Sequence, residues 1–203
     1  MKKIIAIVAF VAAMFVAGNA QAQMSVRFGY APETFTSSYT NYSTSDSFNG
    51  FFAGVFNTFD LKNGLNLTAG VQGRMNIKND QITLLGVTTK YNDQQLLVEV
   101  PVAVSYGIAL GNNLKISPFI GPMVSFALSG KSKTTIGSVV DTDDWYDNNS
   151  NRNRLNLSAM GGVNVKYVRL NLFAGYQMGL LDLDKSDITM KTSGYFVGLG
   201  YDL

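Results

Sequence analysis

Apolar and polar residues alternate along most of this chain with a period of two. From Leu65 the sequence reads LNLTAGVQGRMN. Leu65, Leu67, Ala69, Val71, Gly73 and Met75 fall on one face. Asn66, Thr68, Gly70, Gln72, Arg74 and Asn76 fall on the other. That period predicts a β-strand, not a helix. LLVEVPVAVSYGIAL, from Leu96 to Leu110, repeats it, with Glu99 and Pro101 on the less apolar face. It is too short and too β-branched for a spanning helix, which needs about 20 apolar residues. It also exceeds the roughly 4–8 residues of a soluble core strand.

Eight such segments are predicted, at 24–32, 48–61, 65–76, 96–110, 114–128, 154–167, 169–180 and 192–203. Their connections alternate in length. Tight turns fall at Lys62-Asn63-Gly64, Gly111-Asn112-Asn113 and Tyr167-Val168, the first two with hairpin-type residues. Long polar connections fall at 33–47, 77–95, 129–153 and 181–191. The prediction is an all-β, eight-stranded antiparallel up-and-down barrel.

The apolar face of these strands carries no charge, and Asn57 is its one clearly polar member. A soluble barrel would turn this face inward, and a membrane barrel would turn it to lipid. An eight-stranded interior just holds side chains or one small ligand, so roughly fifty mostly large apolar side chains would overfill it. The opposite face mixes Gly, Asn and Ser with Phe52, Phe56, Phe119, Phe173, Phe196, Met123 and Met160, which suits a narrow lumen. Gly29, Gly54, Gly70 and Gly107 lie on this side and give room for close packing. Aromatic residues collect at both ends of the apolar face. Phe59, Tyr106, Tyr167 and Tyr201 lie near the short turns, and Tyr30, Phe51, Phe126 and Tyr195 lie nearer the long connections. Two aromatic girdles, short periplasmic turns and long outer loops are the outer-membrane arrangement. In lipid an open strand edge is not tolerated, so the sheet must close.

The N-terminus adds an export signal. Lys2 and Lys3 precede an apolar run from Ile4 to Ala17, and Ala20-Gln21-Ala22 forms a cleavage site. Residues 1–22 read as a signal peptide and 23–203 as one barrel domain. The formal charge of +2 comes from Lys2 and Lys3, so the mature chain is balanced and gives no basis for a nucleic-acid partner. Cys is absent, so no disulfide supports the exported fold.

The chain resembles the small outer-membrane β-barrel proteins of the PorT-like type, related in architecture to OmpA and OmpX. The resemblance covers essentially the whole mature chain. It is carried by Glu99-Val100-Pro101 in a strand ending at Tyr106, by Pro118-Phe119-Ile120-Gly121-Pro122, by Gly175-Tyr176-Gln177-Met178-Gly179-Leu180 and by Gly198-Leu199-Gly200-Tyr201-Asp202-Leu203. The last segment resembles the signal read by the outer-membrane insertion machinery, with Leu203 where an aromatic residue is usual. The resemblance implies a fold and a location, the bacterial outer membrane, more than an activity.

Candidate chemistry is sparse. His is absent, which removes the usual general base of membrane-barrel hydrolases. No enzyme activity, cofactor or metal site is expected. Asp141-Thr142-Asp143-Asp144-Trp145-Tyr146-Asp147 lacks the Gly and Glu of a calcium loop, since Tyr146 and Arg152 stand there. Asp143, Asp144, Trp145 and Tyr146 are instead candidates for an outside contact, Trp being favoured at binding hot spots. Glu99, one of two glutamates, needs a partner in a low-dielectric lumen. If the hairpin is symmetric about a loop centred near residue 86, the residue opposite Glu99 lies near 74, where Arg74 stands and would form a lumen ion pair. Arg27 and Arg154 are alternatives if the register slips. The expected function is a monomeric, non-enzymatic envelope protein. It contacts outer-membrane lipid and has a structural role, or binds an extracellular ligand through long loops. A narrow channel or small-solute porin, and a soluble secreted ligand-binding barrel, are the competing readings.

Overall fold

The computed structural model describes residues 22–84, 86–147, 150–186 and 188–203. The signal peptide expected over 1–22 therefore lies outside the described residues except for Ala22. The described chain is all strand, turn and loop. Its strands are β1 (Ala22–Tyr30), β2 (Glu33–Ser38), β3 (Ser43–Lys62), β4 (Leu65–Leu84), β5 (Val87–Tyr106), β6 (Ile108–Ala109), β7 (Leu114–Ile136), β8 (Val139–Asp144), β9 (Leu155–Tyr167), β10 (Leu170–Gly179) and β11 (Thr189–Asp202).

All pairings are antiparallel, and they close a ring. β1 pairs β3 from Ala22↔Phe59 to Tyr30↔Phe51, and pairs β11 from Ser25↔Asp202 to Tyr30↔Val197. β2 continues the same wall element beyond Ala31-Pro32, again between β3 and β11. Eight wall elements result, in the order β1/β2, β11, β10, β9, β7, β5, β4, β3 and back to β1. β6 prolongs the β5 element, and β8 folds back along β7. Among the described residues no element of the ring is left with an unpaired edge at the level of β1, as a closed wall in lipid requires.

The tight turns sit where the sequence predicts them. Lys62, Asn63 and Gly64 take φ of 92°, 52° and 82°, and Val168 takes 55°. The long connections differ from expectation. The segments 33–47, 77–95 and 129–153 are largely paired strand, so β4 and β5 run to Leu84 and Val87 and β7 runs to Ile136. A spanning strand needs only about 9–11 residues, so these hairpins project well beyond a bilayer. Toward their tips water wets both faces, and the apolar alternation that marks a strand disappears there. Cross-strand hydroxyl pairs remain, such as Thr83–Thr88 at 3.0 Å and Thr34–Ser47 at 2.9 Å.

The outward rows are apolar and open: Ile120 is 71% exposed and Phe28 58%. Asn57 follows the outward alternation but is buried between Met24 and Ala69. Inward, each large ring in the lower lumen stands across from a glycine. The cross-strand pairs are Phe52–Gly29, Phe56–Gly70, Phe119–Gly162, Phe196–Gly175 and Phe173–Gly198. A Cβ on Gly198 would lie 2.5 Å from Phe173 Cζ, and one on Gly175 2.5 Å from Phe196 Cζ. Large rings therefore lie over the bare backbone opposite, which lets a narrow ring fill without strain. At Pro101 the β4–β5 ladder omits the rungs between Ala69↔Val102 and Gln72↔Glu99, while the register carries on unshifted. The missing N–H of proline accounts for the gap.

Candidate functional site

The middle of the lumen holds a buried polar cluster built on Arg74. Its Nε lies 3.3 Å from Glu99 Oε2 and its Nη1 lies 3.5 Å from Glu33 Oε2. Nη2 donates to Gln177 Oε1 at 2.7 Å. Arg74 is 2% exposed and Glu99 1%. Gln72 Nε2 donates to Glu99 at 2.5 Å and Ser125 Oγ to its other oxygen at 3.2 Å. Asn76 Nδ2 donates to Glu33 at 2.7 Å and to Gln95 Oε1 at 3.1 Å. Both glutamates of the chain thus meet one guanidinium, and neutral donors add to their shells, while Arg74 Nε and Nη1 make these charge contacts without a hydrogen bond. The opposite charges and the added donors offset the cost of burying them.

The position of this cluster follows from ring order. β4 and β10 stand four places apart in a ring of eight, so they face one another across the lumen. The Arg74–Gln177 hydrogen bond therefore crosses the barrel from wall to wall.

Above it sits a second closure. Phe35, Phe48, Leu183 and Met190 form a buried apolar cluster against which Trp145 packs. The Trp145 and Phe48 rings meet edge to face, with centroids 5.8 Å apart. Arg152 Cζ lies 4.4 Å from the Trp145 ring and Arg154 Cζ 4.7 Å from the Tyr146 ring. Arg154 also donates to the carbonyls of Leu128 and Tyr146, each at 2.9 Å. Gln95 Nε2 donates to the Tyr146 hydroxyl at 2.7 Å, which links this cap to the cluster below. Gly130 provides the room: a Cβ there would stand 2.7 Å from Trp145.

Below the cluster a cavity of about 220 Å³ reaches toward the short-turn end. Arg27, Phe56, Lys115, Phe173, Lys166 and Asp202 are among its lining. Lys166 Nζ pairs with Asp202 at 2.6 Å, and the Arg27 guanidinium lies 4.6 Å from the Phe56 ring centre.

The structure brings Arg74 and Glu99 together, but not by the expected register. Gln72 stands opposite Glu99, and Arg74 stands opposite Leu97. The pair is diagonal because the ladder closes at Leu84↔Val87, which puts the residue opposite Glu99 two positions before Arg74. Arg27 and Arg154, the alternative partners, sit elsewhere, on the Phe56 ring and at the outer carbonyls. Trp145 and Tyr146 turn inward onto the lumen cap, while Asp143 and Asp144 stay exposed on β8. Sequence reasoning misses Glu33, Asn76, Gln95 and Gln177. Glu33 falls in a segment that reads as loop, yet it is the only other glutamate, and that scarcity is the available signal.

A closed antiparallel ring with an apolar outer wall and a polar, packed interior is a transmembrane β-barrel. Comparison with protein families agrees: residues 18–185 match the outer membrane protein beta-barrel domain, and the chain belongs to that family. It is a protein of the bacterial outer membrane. A search of curated protein sequences gave no significant match. Among solved structures, a major outer membrane protein from Thermus thermophilus aligns over 91% of this chain and 100% of its own, at 13% identity and TM-score 0.51. Ail, the attachment invasion locus protein of Yersinia pestis, aligns over 91% and 100%, at 13% identity and TM-score 0.49. The outer membrane enzyme PagL aligns over 86% and 99%, at 9% identity and TM-score 0.37.

Proposed function

We propose that this protein is a sealed, non-enzymatic barrel that anchors in the outer membrane and presents its projecting hairpins for binding at the cell surface. The observation that carries this reading is the Arg74–Gln177 contact, which crosses the lumen within a buried cluster holding both glutamates. The aromatic cap around Trp145 adds a second closure on the hairpin side. The absence of His from the sequence supports a non-enzymatic role, since the usual general base is missing.

The test is conductance of the refolded barrel in planar lipid bilayers, paired with surface labelling. No steady single-channel current is expected. Single cysteines at Ser138 or Thr83 should react with an impermeant reagent on whole cells, and cysteines at Asn63 or Asn112 should not. Steady current in the unaltered protein would overturn the sealed reading. It would favour the narrow channel, to which the 220 Å³ cavity below the cluster would then belong.

A further inference from the structure

Beyond the apolar wall, β4, β5, β7 and β8 form a four-stranded apron whose two faces differ in charge. The pairings fix the faces. Lys78↔Asp93, Asp80↔Tyr91, Asp93↔Ser132 and Ser132↔Asp143 continue the lumen side. On that side lie Asp80, Asp93, Asp141 and Asp143, with Lys78 held by Asp46 at 2.6 Å and Asp80 at 3.1 Å. The opposite side continues the lipid-facing wall. It carries Lys90, Lys131 and Lys133, all exposed, on the rungs Lys90↔Thr135, Asn92↔Lys133 and Gln94↔Lys131. These three make no ion pair among the described residues. Asp144, opposite Lys131, is the one acid of the apron on this side.

The height of these lysines is set by register. Leu96, paired with Ser129, is the last exposed apolar residue of the β5 wall, and Gln94↔Lys131 is the next outward-facing rung. At about 3.3 Å per residue, Lys131 stands roughly 7 Å along the strand from the apolar edge. Lys133 and Lys90 follow at successive outward rungs. Lys131 is therefore at headgroup level, and Lys133 and Lys90, roughly 13 and 20 Å along the strand from that edge, stand above it, where a sugar extending from the headgroup would lie. A shallow hollow there is lined by Asn79, Asp80, Gln81, Lys90, Tyr91, Asn92, Lys133 and Thr135, so amides and a hydroxyl lie beside two of the three ammonium groups, with one carboxylate, Asp80, whose alternation places it on the other face. Ammonium groups interleaved with amide and hydroxyl donors match a phosphorylated saccharide rather than a bare apolar surface.

We propose that the outward face of this apron binds the phosphorylated sugar headgroup of an anionic glycolipid in the outer leaflet, through Lys90, Lys131 and Lys133. The proposal rests on the outer-membrane, hairpins-outward reading above. It adds to that reading the face used and the chemistry recognised. The same contacts would fix the tilt of the projecting hairpins over the membrane.

The experiment uses the full-length mature barrel in detergent micelles, with binding followed by native mass spectrometry. The probes are a bisphosphorylated glucosamine-disaccharide lipid and its dephosphorylated counterpart. The unaltered protein should prefer the phosphorylated form. Each lysine removed should weaken that preference roughly fivefold, as expected for single cations near an anionic surface, and added salt should weaken it further. The combined variant Lys90→Gln, Lys131→Gln, Lys133→Gln should lose the preference, and Asp144→Asn should strengthen it. Lys78→Gln, on the other face, should leave it unchanged. Equal retention of both probes by the unaltered protein would overturn the proposal. So would an undiminished preference in the triple variant, or tighter binding to a soluble sulfated polysaccharide than to the lipid. The triple variant leaves the lumen intact, so bilayer conductance and cysteine labelling report on the sealed, hairpins-outward reading separately.

Discussion

Arg74 and Glu99 meet at 3.3 Å although neither stands opposite the other in the β4–β5 ladder. Arg74 reaches diagonally past Gln72, which faces Glu99 and donates to the same carboxylate oxygen. The guanidinium thereby stays free on its far side to meet Glu33 and Gln177. A directly opposed pair would satisfy one carboxylate. The diagonal arrangement ties four wall elements together.

Removing Arg74 should therefore cost more than removing either glutamate. Arg74→Met leaves two buried carboxylates without their cation, and breaking a buried pair costs about 3–5 kcal/mol. Glu99→Gln keeps a polar group beside Gln72 and Ser125 and should cost less. The double variant should be more stable than the two single costs predict. Urea titrations of folding in lipid vesicles measure all three. Strict additivity would mean that the pair carries no coupling.

The assignment of faces predicts a contrast between adjacent residues. Val102 lies outward opposite Ala69, and Ala103 lies buried on the lumen side. Val102→Arg should destabilise the barrel by about 2–4 kcal/mol if it sits near the bilayer midplane. Ala103→Ser should cost far less, because it adds one small neutral hydroxyl opposite Thr68 rather than a charge in lipid. The same vesicle titrations decide, and a reversed order would exchange the two faces.

The strands are legible in the sequence where the environments of their two faces differ. From Val98 to Tyr106 one side meets lipid and the other a packed lumen, so the alternation is sharp. From Ile77 to Leu84 both sides meet water, and only pairing distinguishes strand from loop. That is why 77–95 reads as a connection when nearly all of it is ladder. Glu33 is hidden for another reason: its strand is six residues long and follows Pro32, and only Glu33 and Phe35 in it are buried, too few to show a period. The register error has a different origin. A loop centred near the middle of 77–95 that sets Arg74 opposite Glu99 and the observed ladder, whose last rung is Leu84↔Val87, differ by two residues in pairing, and a shift of two keeps every side chain on its face. Arg74 and Glu99 thus remain on the lumen side under either register. The inward packing of Trp145 is not legible for a chemical reason: an aromatic in a polar loop suits an outside contact and an inward cap equally well.

Lys78 offers a titration that reports on the inner face of the apron. Its pKa is raised, first by the hydrogen bond of Nζ to Asp46, with partial burial opposing and Asp80 adding to the rise. A lysine raised in the fold contributes stability that is fully present below the unfolded value, 10.5. That contribution is lost as pH rises through the raised value. Selective ¹³Cε labelling should show the Lys78 midpoint above 10.5. Asp46→Asn should bring it down. An unchanged midpoint in that variant would remove Asp46 as the cause.

The lumen cap can be read through its own chromophore, because Trp145 is the only tryptophan in the chain. Its ring meets Phe48 edge to face and the Arg152 guanidinium at 4.4 Å, and its backbone N–H donates to the Gly130 carbonyl at 2.9 Å. A tryptophan at a free loop tip would emit like the unfolded chain and be fully open to acrylamide. Held in this cap, it should emit at shorter wavelength and be partly shielded. Phe48→Ala removes the edge-to-face partner and opens space beneath the indole, so emission should shift to the red and quenching should rise. Arg152→Ala should raise quenching with a smaller spectral shift, since it uncovers one face without changing the apolar floor. Far-ultraviolet circular dichroism should stay unchanged in both, because the ring of β-strands does not depend on either side chain. Emission at the unfolded wavelength in the unaltered, folded barrel would place Trp145 outside the cap.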